Sequence, residues 1–366
     1  MRIGVDCRPL AHPKNGIGRY TTQLLKRLTQ YSDHQWFLYG GKTSDNPWLD
    51  FDNVYRRSND SFYRGLNLVR EQIMFQNWAR KDQLDVFWSP RHHLPLLLRS
   101  IPCVLTIHDC VWRQHPGTMQ LRGLIAERLL TPASLQLATR IIAVSQATAA
   151  DLVSLYPNLR PKIDVIYEAN SLHPIESSSA IRTPYMLFVG TLEPRKNLQR
   201  CLEALAKLKT LGSELPHLIV TGGRGWKMEP LHLSVTALGL EQQVEYVGSA
   251  DDTELSALYA GCDFLVFPSL YEGFGLPIVE AFSFGKPVIT SNVSAMPEVA
   301  GDAALLVDPN SVDEIANAMK RLITDRALYD TLALKTKPQA AKFSWDRAAE
   351  QTLAVIEQVG SSGNRG

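Results

Sequence analysis

Two carboxylates eight positions apart, Glu272 and Glu280, enclose Gly273-Phe274-Gly275-Leu276-Pro277. The apolar run Asp263-Phe264-Leu265-Val266-Phe267 stands upstream and reads as a buried strand. Pro277 suits the first turn of a helix, where a missing N–H costs nothing. The order is therefore strand, Gly-rich turn, helix. Helix starts carry unpaired N–H groups that attract anions, and glycines allow a ligand close to the backbone. Acids on both sides of such a turn suit a ligand carrying phosphates and hydroxyls, such as a nucleotide sugar.

A second set, Gly190-Thr191-Leu192-Glu193-Pro194-Arg195-Lys196-Asn197, also follows an apolar strand and precedes a helix. Arg195 offers a planar fork and Lys196 a point charge, a pair suited to a diphosphate. Gly16-Ile17-Gly18 follows the first strand and would close over a phosphate, line the acceptor side, or simply open a helix. Thr106-Ile107-His108-Asp109 ends a strand. There His108 would meet a sugar hydroxyl, with Asp109 to orient it, or serve as a satisfied structural residue. His92 and His93 end another strand and lack the third ligand a metal site needs. Gly222 and Gly223, in Thr221-Gly222-Gly223-Arg224-Gly225, would shape a base pocket or a plain turn. Asp50-Phe51-Asp52 has a spacing that can hold Mg²⁺, but it sits in a polar loop with no strand close before it. No metal and no cofactor are expected.

These residues need elements to hold them. Short apolar runs alternate with helical patterns along the chain. Strands are predicted at Ile3–Asp6, Trp36–Tyr39, Val86–Trp88, Val104–His108, Ile141–Ser145 and Ile163–Ile166. A second series follows at Met186–Gly190, Leu218–Thr221, Val244–Val247, Phe264–Phe267 and Val288–Thr290. Helices are predicted at 17–30, 62–81, 117–138 and 146–155, then at 197–211, 229–238, 252–261, 277–285 and 311–324. This alternation implies α/β architecture with parallel sheets. The Ser- and Pro-containing stretch 171–183 breaks it and reads as a linker. Residues 1–170 and 184–344 then form two doubly wound domains whose ligand would lie at the carboxyl ends of the strands. The tail 361–366 reads as flexible.

Composition excludes several classes. The 366 residues are 45% hydrophobic and 20% charged, as in a globular protein. With 38 basic and 37 acidic residues the net charge is +1, which gives no footprint for nucleic acid. The 5 cysteines are odd in number and scattered, against a disulfide framework and consistent with a reducing cytoplasm. The opening Met1-Arg2-Ile3-Gly4-Val5-Asp6 reads as a strand rather than a signal peptide. The predicted helix 62–81 mixes aromatics and cations, and fits either a core-facing helix or one lying on a membrane surface.

Taken together, these residues resemble a family. Tyr271–Glu280 looks like the E-x7-E signature of retaining glycosyltransferases of the GT-B fold, in glycosyltransferase family 4. The similarity extends to Gly16–Tyr20, the His108-Asp109 pair, Gly190–Asn197, Phe267–Gly275, Gly285–Ser291 and Pro297–Gly301. Within that family the chain is most similar to bacterial mannosyl- and rhamnosyltransferases of surface-polysaccharide assembly. The resemblance implies two Rossmann-like domains facing a cleft, with a helix at 345–360 returning to the first. It implies that Glu280 holds the donor ribose. Glu272 would face the transferred sugar, beside the backbone of Gly273, Phe274, Gly275 and Leu276. Arg195 and Lys196 would hold the diphosphate, and His108 would touch the sugar. The implied reaction is metal-independent transfer of a hexosyl unit, mannose from GDP-mannose foremost, to a glycan or lipid-linked hydroxyl with retention. Peripheral contact with the inner membrane face would follow from a lipid-linked acceptor. A UDP- or dTDP-sugar donor, a silent nucleotide-sugar binder, or an epimerase or phosphorylase on the same fold are the competing readings. One departure stands out: where many relatives carry Asn-Gly near the linker, this chain reads Tyr167-Glu168-Ala169-Asn170.

Overall fold

The computed structural model describes residues 1–12, 15–31, 33–40, 49–57, 68–173, 184–210, 212, 215–226 and 230–363. Most of the predicted linker, the start of the predicted helix 62–81 and the end of the tail lie outside these residues. The chain divides into two compact units. One comprises Met1–Trp112, Leu121–Glu168 and Ser344–Gly366, the other Arg113–Gln120 and Ala169–Phe343.

The first unit is built on a seven-stranded parallel sheet of order β3-β2-β1-β4-β5-β6-β7. Its strands are β1 Arg2–Asp6, β2 Gln35–Tyr39, β3 Val54–Arg57, β4 Val86–Ser89, β5 Cys103–Ile107, β6 Arg140–Ala143 and β7 Ile163–Val165. Ile3 pairs with Trp36 on one side and Val86 on the other. The helices are α1 Gly16–Tyr31, α2 Leu68–Lys81, α3 Val111–Gln114, α4 Leu121–Leu137 and α5 Gln146–Leu155. The inner strands β4 and β5 are buried on both faces and read as apolar runs, as parallel sheets require.

The second unit carries a six-stranded parallel sheet of order β10-β9-β8-β11-β12-β13. Its strands are β8 Tyr185–Val189, β9 His217–Thr221, β10 Val244–Gly248, β11 Phe264–Phe267, β12 Val288–Ser291 and β13 Ala304–Val307. Helices α6 Leu198–Thr210, α7 Leu231–Ala237, α8 Asp252–Gly261, α9 Leu276–Ser283, α10 Met296–Ala300, α11 Val312–Thr324 and α12 Arg326–Ala340 surround it. Between sheet and helices lies a core that includes Phe188, Leu205, Leu218, Val266 and Met319. Full burial of side chains of this size contributes about 1.5–3 kcal/mol each.

The last helix, α13 Trp345–Gly363, packs in the first unit. Trp345 meets the Tyr20 ring at 5.9 Å, Arg27 bonds Asp346, and His34 lies 2.8 Å from Glu357. Both sheets are Rossmann-like, with chain order reversing between β1 and β4 in one and between β8 and β11 in the other. At such a switch point the flanking loops part and leave room for a ligand.

Several elements differ from the sequence reading. Strands β3 and β13 lie outside the predicted ones: β3 is half arginine, and β13 is a four-residue apolar run, Ala304-Leu305-Leu306-Val307, too short to tell from a helix segment. Helix α12 has few buried positions and a weak period. The predicted helix 117–138 begins only at Leu121, after a short 3-10 turn at Pro116–Thr118. In α2, Phe75 lies in the core against Tyr39, Trp78 and Phe87, so this face is an inner one and not a membrane face. Asp50 of the D-x-D triplet pairs with Arg56 at 2.5 Å on an exposed loop. All five cysteines are free and buried, and burial raises the Cys201 and Cys262 thiols to about 12.

Candidate functional site

The loops after β8 and β11 meet at the switch point of the second sheet. Pro194–Lys196 forms a 3-10 turn that ends in Asn197 at φ 62, a left-handed geometry asparagine tolerates. Buried Asn197 donates to the carbonyls of Pro268 at 2.9 Å and Pro309 at 2.7 Å. The Leu270 N–H donates to the Arg195 carbonyl at 2.8 Å. These bonds lock the two loops together and present Arg195 and Lys196 to Glu272.

Glu272 is buried and clamped between them. Lys196 Nζ donates to Oε1 at 2.7 Å, and Arg195 Nη1 lies 2.7 Å from Oε2. Arg195 also donates to the Tyr271 carbonyl at 2.7 Å and to Glu193 at 2.5 Å. Burial opposes ionisation of Glu272, but Arg195 and then Lys196 overcome it and hold the carboxyl down at about 2. Burial, reinforced by the Arg195 charge and opposed by Glu272, lowers the Lys196 ammonium below its ordinary value. Two cations thus face two carboxylates, Glu193 and Glu272, with no surplus charge. An incoming anion must compete with Glu272 for a lysine whose charge is poorly solvated.

Gly275 sits at φ 105 as the N-cap of α9, a conformation that favours glycine. The helix starts one residue before expectation, at Leu276, with Pro277 in its first turn. Glu280 lies inside α9, buried, and accepts from the Tyr259 hydroxyl at 2.8 Å. Its partner on α8 was not foreseen. The Glu272 N–H donates to Ser294 Oγ at 3.1 Å, and the His115 ring lies 5.4 Å from that of Tyr271. Neither Ser294 nor His115 carries a sequence signal, since both reach the site only through long-range contacts.

The two other glycines proposed for this unit separate. A Cβ on Gly222, at φ 146, would fall 2.0 Å from the Gly190 carbonyl oxygen, and its N–H already serves the Gly248 carbonyl at 2.8 Å. Gly222 is a packing residue, because the β8 and β9 loops touch there. Gly223 faces open space. Replacing Gly222 by alanine is expected to cost roughly 2–6 kcal/mol, from backbone strain plus the clash. The same change at Gly223 should stay within about 0.5 kcal/mol. Denaturant titration of the two variants checks this; a Gly222→Ala protein of full stability would place that glycine on the ligand side instead.

The first unit gathers its own polar residues at the ends of β4 and β5. His108 Nδ1 lies 3.0 Å from Glu168 Oε1, and Nε2 lies 2.9 Å from the Pro90 carbonyl. Both ring nitrogens thus face acceptors, so neither points outward to a sugar hydroxyl in this state. Asp109 does not orient the ring: its carboxylate caps the Val111 N–H at 3.0 Å. Glu168 takes that place, and the departure from Asn-Gly was the only signal for it. The His108 N–H donates to His92 Nε2 at 3.0 Å, which puts the His92 proton on Nδ1, toward Glu127 at 3.3 Å. His93 Nε2 lies 3.2 Å from the same Glu127 oxygen. Gly16 and Gly18 belong to the first turn of α1, and the Gly18 N–H donates to Asn15 Oδ1 at 2.7 Å. That N–H is therefore committed to a helix cap and not open to a phosphate.

Known proteins match this chain in sequence and in fold. A family model described as glycosyl transferases group 1 matches residues 175–340, and one described as glycosyltransferase family 4 matches 14–169. O-antigen chain mannosyltransferase B of Escherichia coli is 32% identical, over 96% of this chain and 98% of that protein. Sucrose-phosphate synthase of Thermosynechococcus elongatus superposes with a TM-score of 0.79 at 19% identity, covering 99% of this chain and 100% of that one. Anabaena HepE, in complex with UDP and glucose, superposes with a TM-score of 0.75 at 21% identity over 98% and 100% of the two chains. With two Rossmann-like sheets, a returning last helix and these matches, the chain belongs to the group 1 and family 4 glycosyltransferases and is a glycosyltransferase of the GT-B fold.

Proposed function

We propose that the protein moves a mannosyl unit from GDP-mannose to a hydroxyl of a glycan or lipid-linked glycan, with retention and without a metal. In this reading residues 184–344 bind the donor and residues 1–170 the acceptor. The observation that carries it is the buried clamp of Arg195 and Lys196 on Glu272 at the β8/β11 switch point. A diphosphate arriving there takes over the two cations, and Glu272 is released to a sugar hydroxyl. The acceptor oxygen then bonds the anomeric carbon as the bond to the diphosphate oxygen breaks. The acceptor proton passes to the departing phosphate on the same face. Glu280 takes the ribose hydroxyls. The mannosyl choice is supported by the O-antigen mannosyltransferase relative, which also favours a membrane-borne glycan acceptor and hence a peripheral membrane location.

A second reading, a UDP-sugar donor, is favoured by the complex of HepE with UDP. Thermal-shift titration against GDP, UDP, dTDP and ADP and their sugars separates them. A ligand at a hundred times its Kd adds about 2.7 kcal/mol. GDP and GDP-mannose are expected to raise the midpoint. A shift with UDP-sugars alone would replace the first reading by the second, and no shift with any nucleotide would overturn both.

A further inference from the structure

Helix α4 turns Glu127, Thr131 and Ser134 inward and carries an apolar stripe on its outer side. On the buried side Glu127 Oε2 accepts from Thr131 Oγ1 at 2.6 Å and lies by His92 and His93. Ser134 Oγ accepts from the Leu94 N–H at 2.9 Å. On the other side Leu121, Ile125 and Leu129 are 71%, 50% and 69% exposed. Spaced four apart, they fall in a stripe about 80° wide. Arg128 borders it on one side and Arg122 on the other, each about 20° beyond. Both arginines are exposed, and the exposed residues of this helix include no acid. Single exposed leucines are ordinary, but a continuous stripe on one helix marks a contact surface.

We propose that this face of α4 lies in the interface of an anionic lipid bilayer. The leucines would enter the acyl boundary and the two arginines would meet lipid phosphates, the arrangement of an interfacial helix. A second copy of the chain fits less well, because a two-fold contact through this stripe would bring arginines against arginines. Among the described residues no helix is long and apolar enough to cross a membrane, so attachment here is to the surface. The inference extends the proposed lipid-linked acceptor, which would be presented at that same surface, but its test does not require transfer.

The test is cosedimentation of the full chain with vesicles of phosphatidylcholine, alone and mixed with phosphatidylglycerol. The protein is expected to bind the mixed vesicles. The double change Ile125→Ser and Leu129→Ser should lower partitioning roughly tenfold or more. Arg122→Gln and Arg128→Gln should each lower it about fivefold on the anionic vesicles and weaken the salt dependence, and the double change should remove it. All these residues are exposed, so melting midpoints should stay close to that of the unaltered protein. No binding to mixed vesicles would overturn the inference, and so would serine variants that bind unchanged. A dimer that the serine variants dissolve, without vesicle binding, would assign the stripe to self-association. The GDP-induced thermal shift, measured on the same variants, reports on the donor site separately. Lost vesicle binding with an intact GDP shift sinks only the membrane inference, and the converse sinks only the donor reading.

Discussion

Lys196→Ala is expected to lower kcat/KM for transfer roughly ten- to a hundredfold while the protein stays folded. A hydrogen bond to a charged group contributes about 1.5–3 kcal/mol, and about 1.4 kcal/mol is tenfold in rate. The loss should appear mainly in kcat, because the departing diphosphate carries more charge in the transition state than in the bound donor. Lys196 suits this test because its polar partner in the structure is Glu272, with the Phe267 ring 5.1 Å from Nζ. Glu272 keeps Arg195 when the lysine is gone. Arg195→Ala is the informative contrast. That side chain also holds the Tyr271 carbonyl and Glu193, so its loss should reduce both activity and melting midpoint. Steady-state kinetics with GDP-mannose, beside thermal unfolding of each variant, checks the pair. A Lys196→Ala enzyme with unchanged kcat would remove the lysine from the chemistry.

The difference between what sequence could and could not reveal is a matter of range. Glu272, Arg195 and Lys196 were legible because each lies one turn past an apolar strand, a local pattern. That they form one clamp depends on β8 and β11 being neighbours, and strand order is set by packing across about 80 residues of chain. Gly222 shows the limit of motif reading. A glycine-rich turn after a strand looks the same whether it receives a ligand or a neighbouring backbone, and only the 2.0 Å approach to Gly190 decides. At Gly18, whose turn reads equally as a phosphate loop or a helix start, the bond of its N–H to Asn15 favours the helix start. Local sequence offers His108 the adjacent Asp109 as its partner, whereas Asp109 caps the Val111 N–H. The residue that reaches His108, Glu168, lies 60 positions away on the segment after β7. Strand β3 escaped because half of it is arginine, and β13 because a run of four apolar residues is too short to tell from a helix segment. The outward stripe of α4 was hidden in another way. Apolar and polar residues both occur around the helix, so periodicity alone does not say which side is buried.

Glu272→Gln and Glu280→Gln should fail in opposite ways. Glu280 accepts from the Tyr259 hydroxyl inside α9. Removing its charge weakens the grip on the ribose hydroxyls, and the Kd for GDP should rise roughly tenfold, the worth of one charged hydrogen bond. Glu272 is different, because it neutralises the cations that a diphosphate needs. Glutamine at this position leaves Arg195 and Lys196 with a surplus of one positive charge against Glu193. GDP should then bind more tightly than to the unaltered protein, by up to about tenfold, since it no longer displaces a carboxylate. Transfer should nonetheless fall roughly a hundredfold, because the anion that positions the sugar is gone and the product leaves slowly. The sign of the affinity change is what matters. Calorimetric titration of both variants with GDP, read beside their kcat values, measures it. Weaker GDP binding by Glu272→Gln would mean that the carboxylate organises the two cations for the diphosphate and does not compete with it. The release step would then have to be abandoned, with Glu272 acting as a fixed part of the diphosphate cradle.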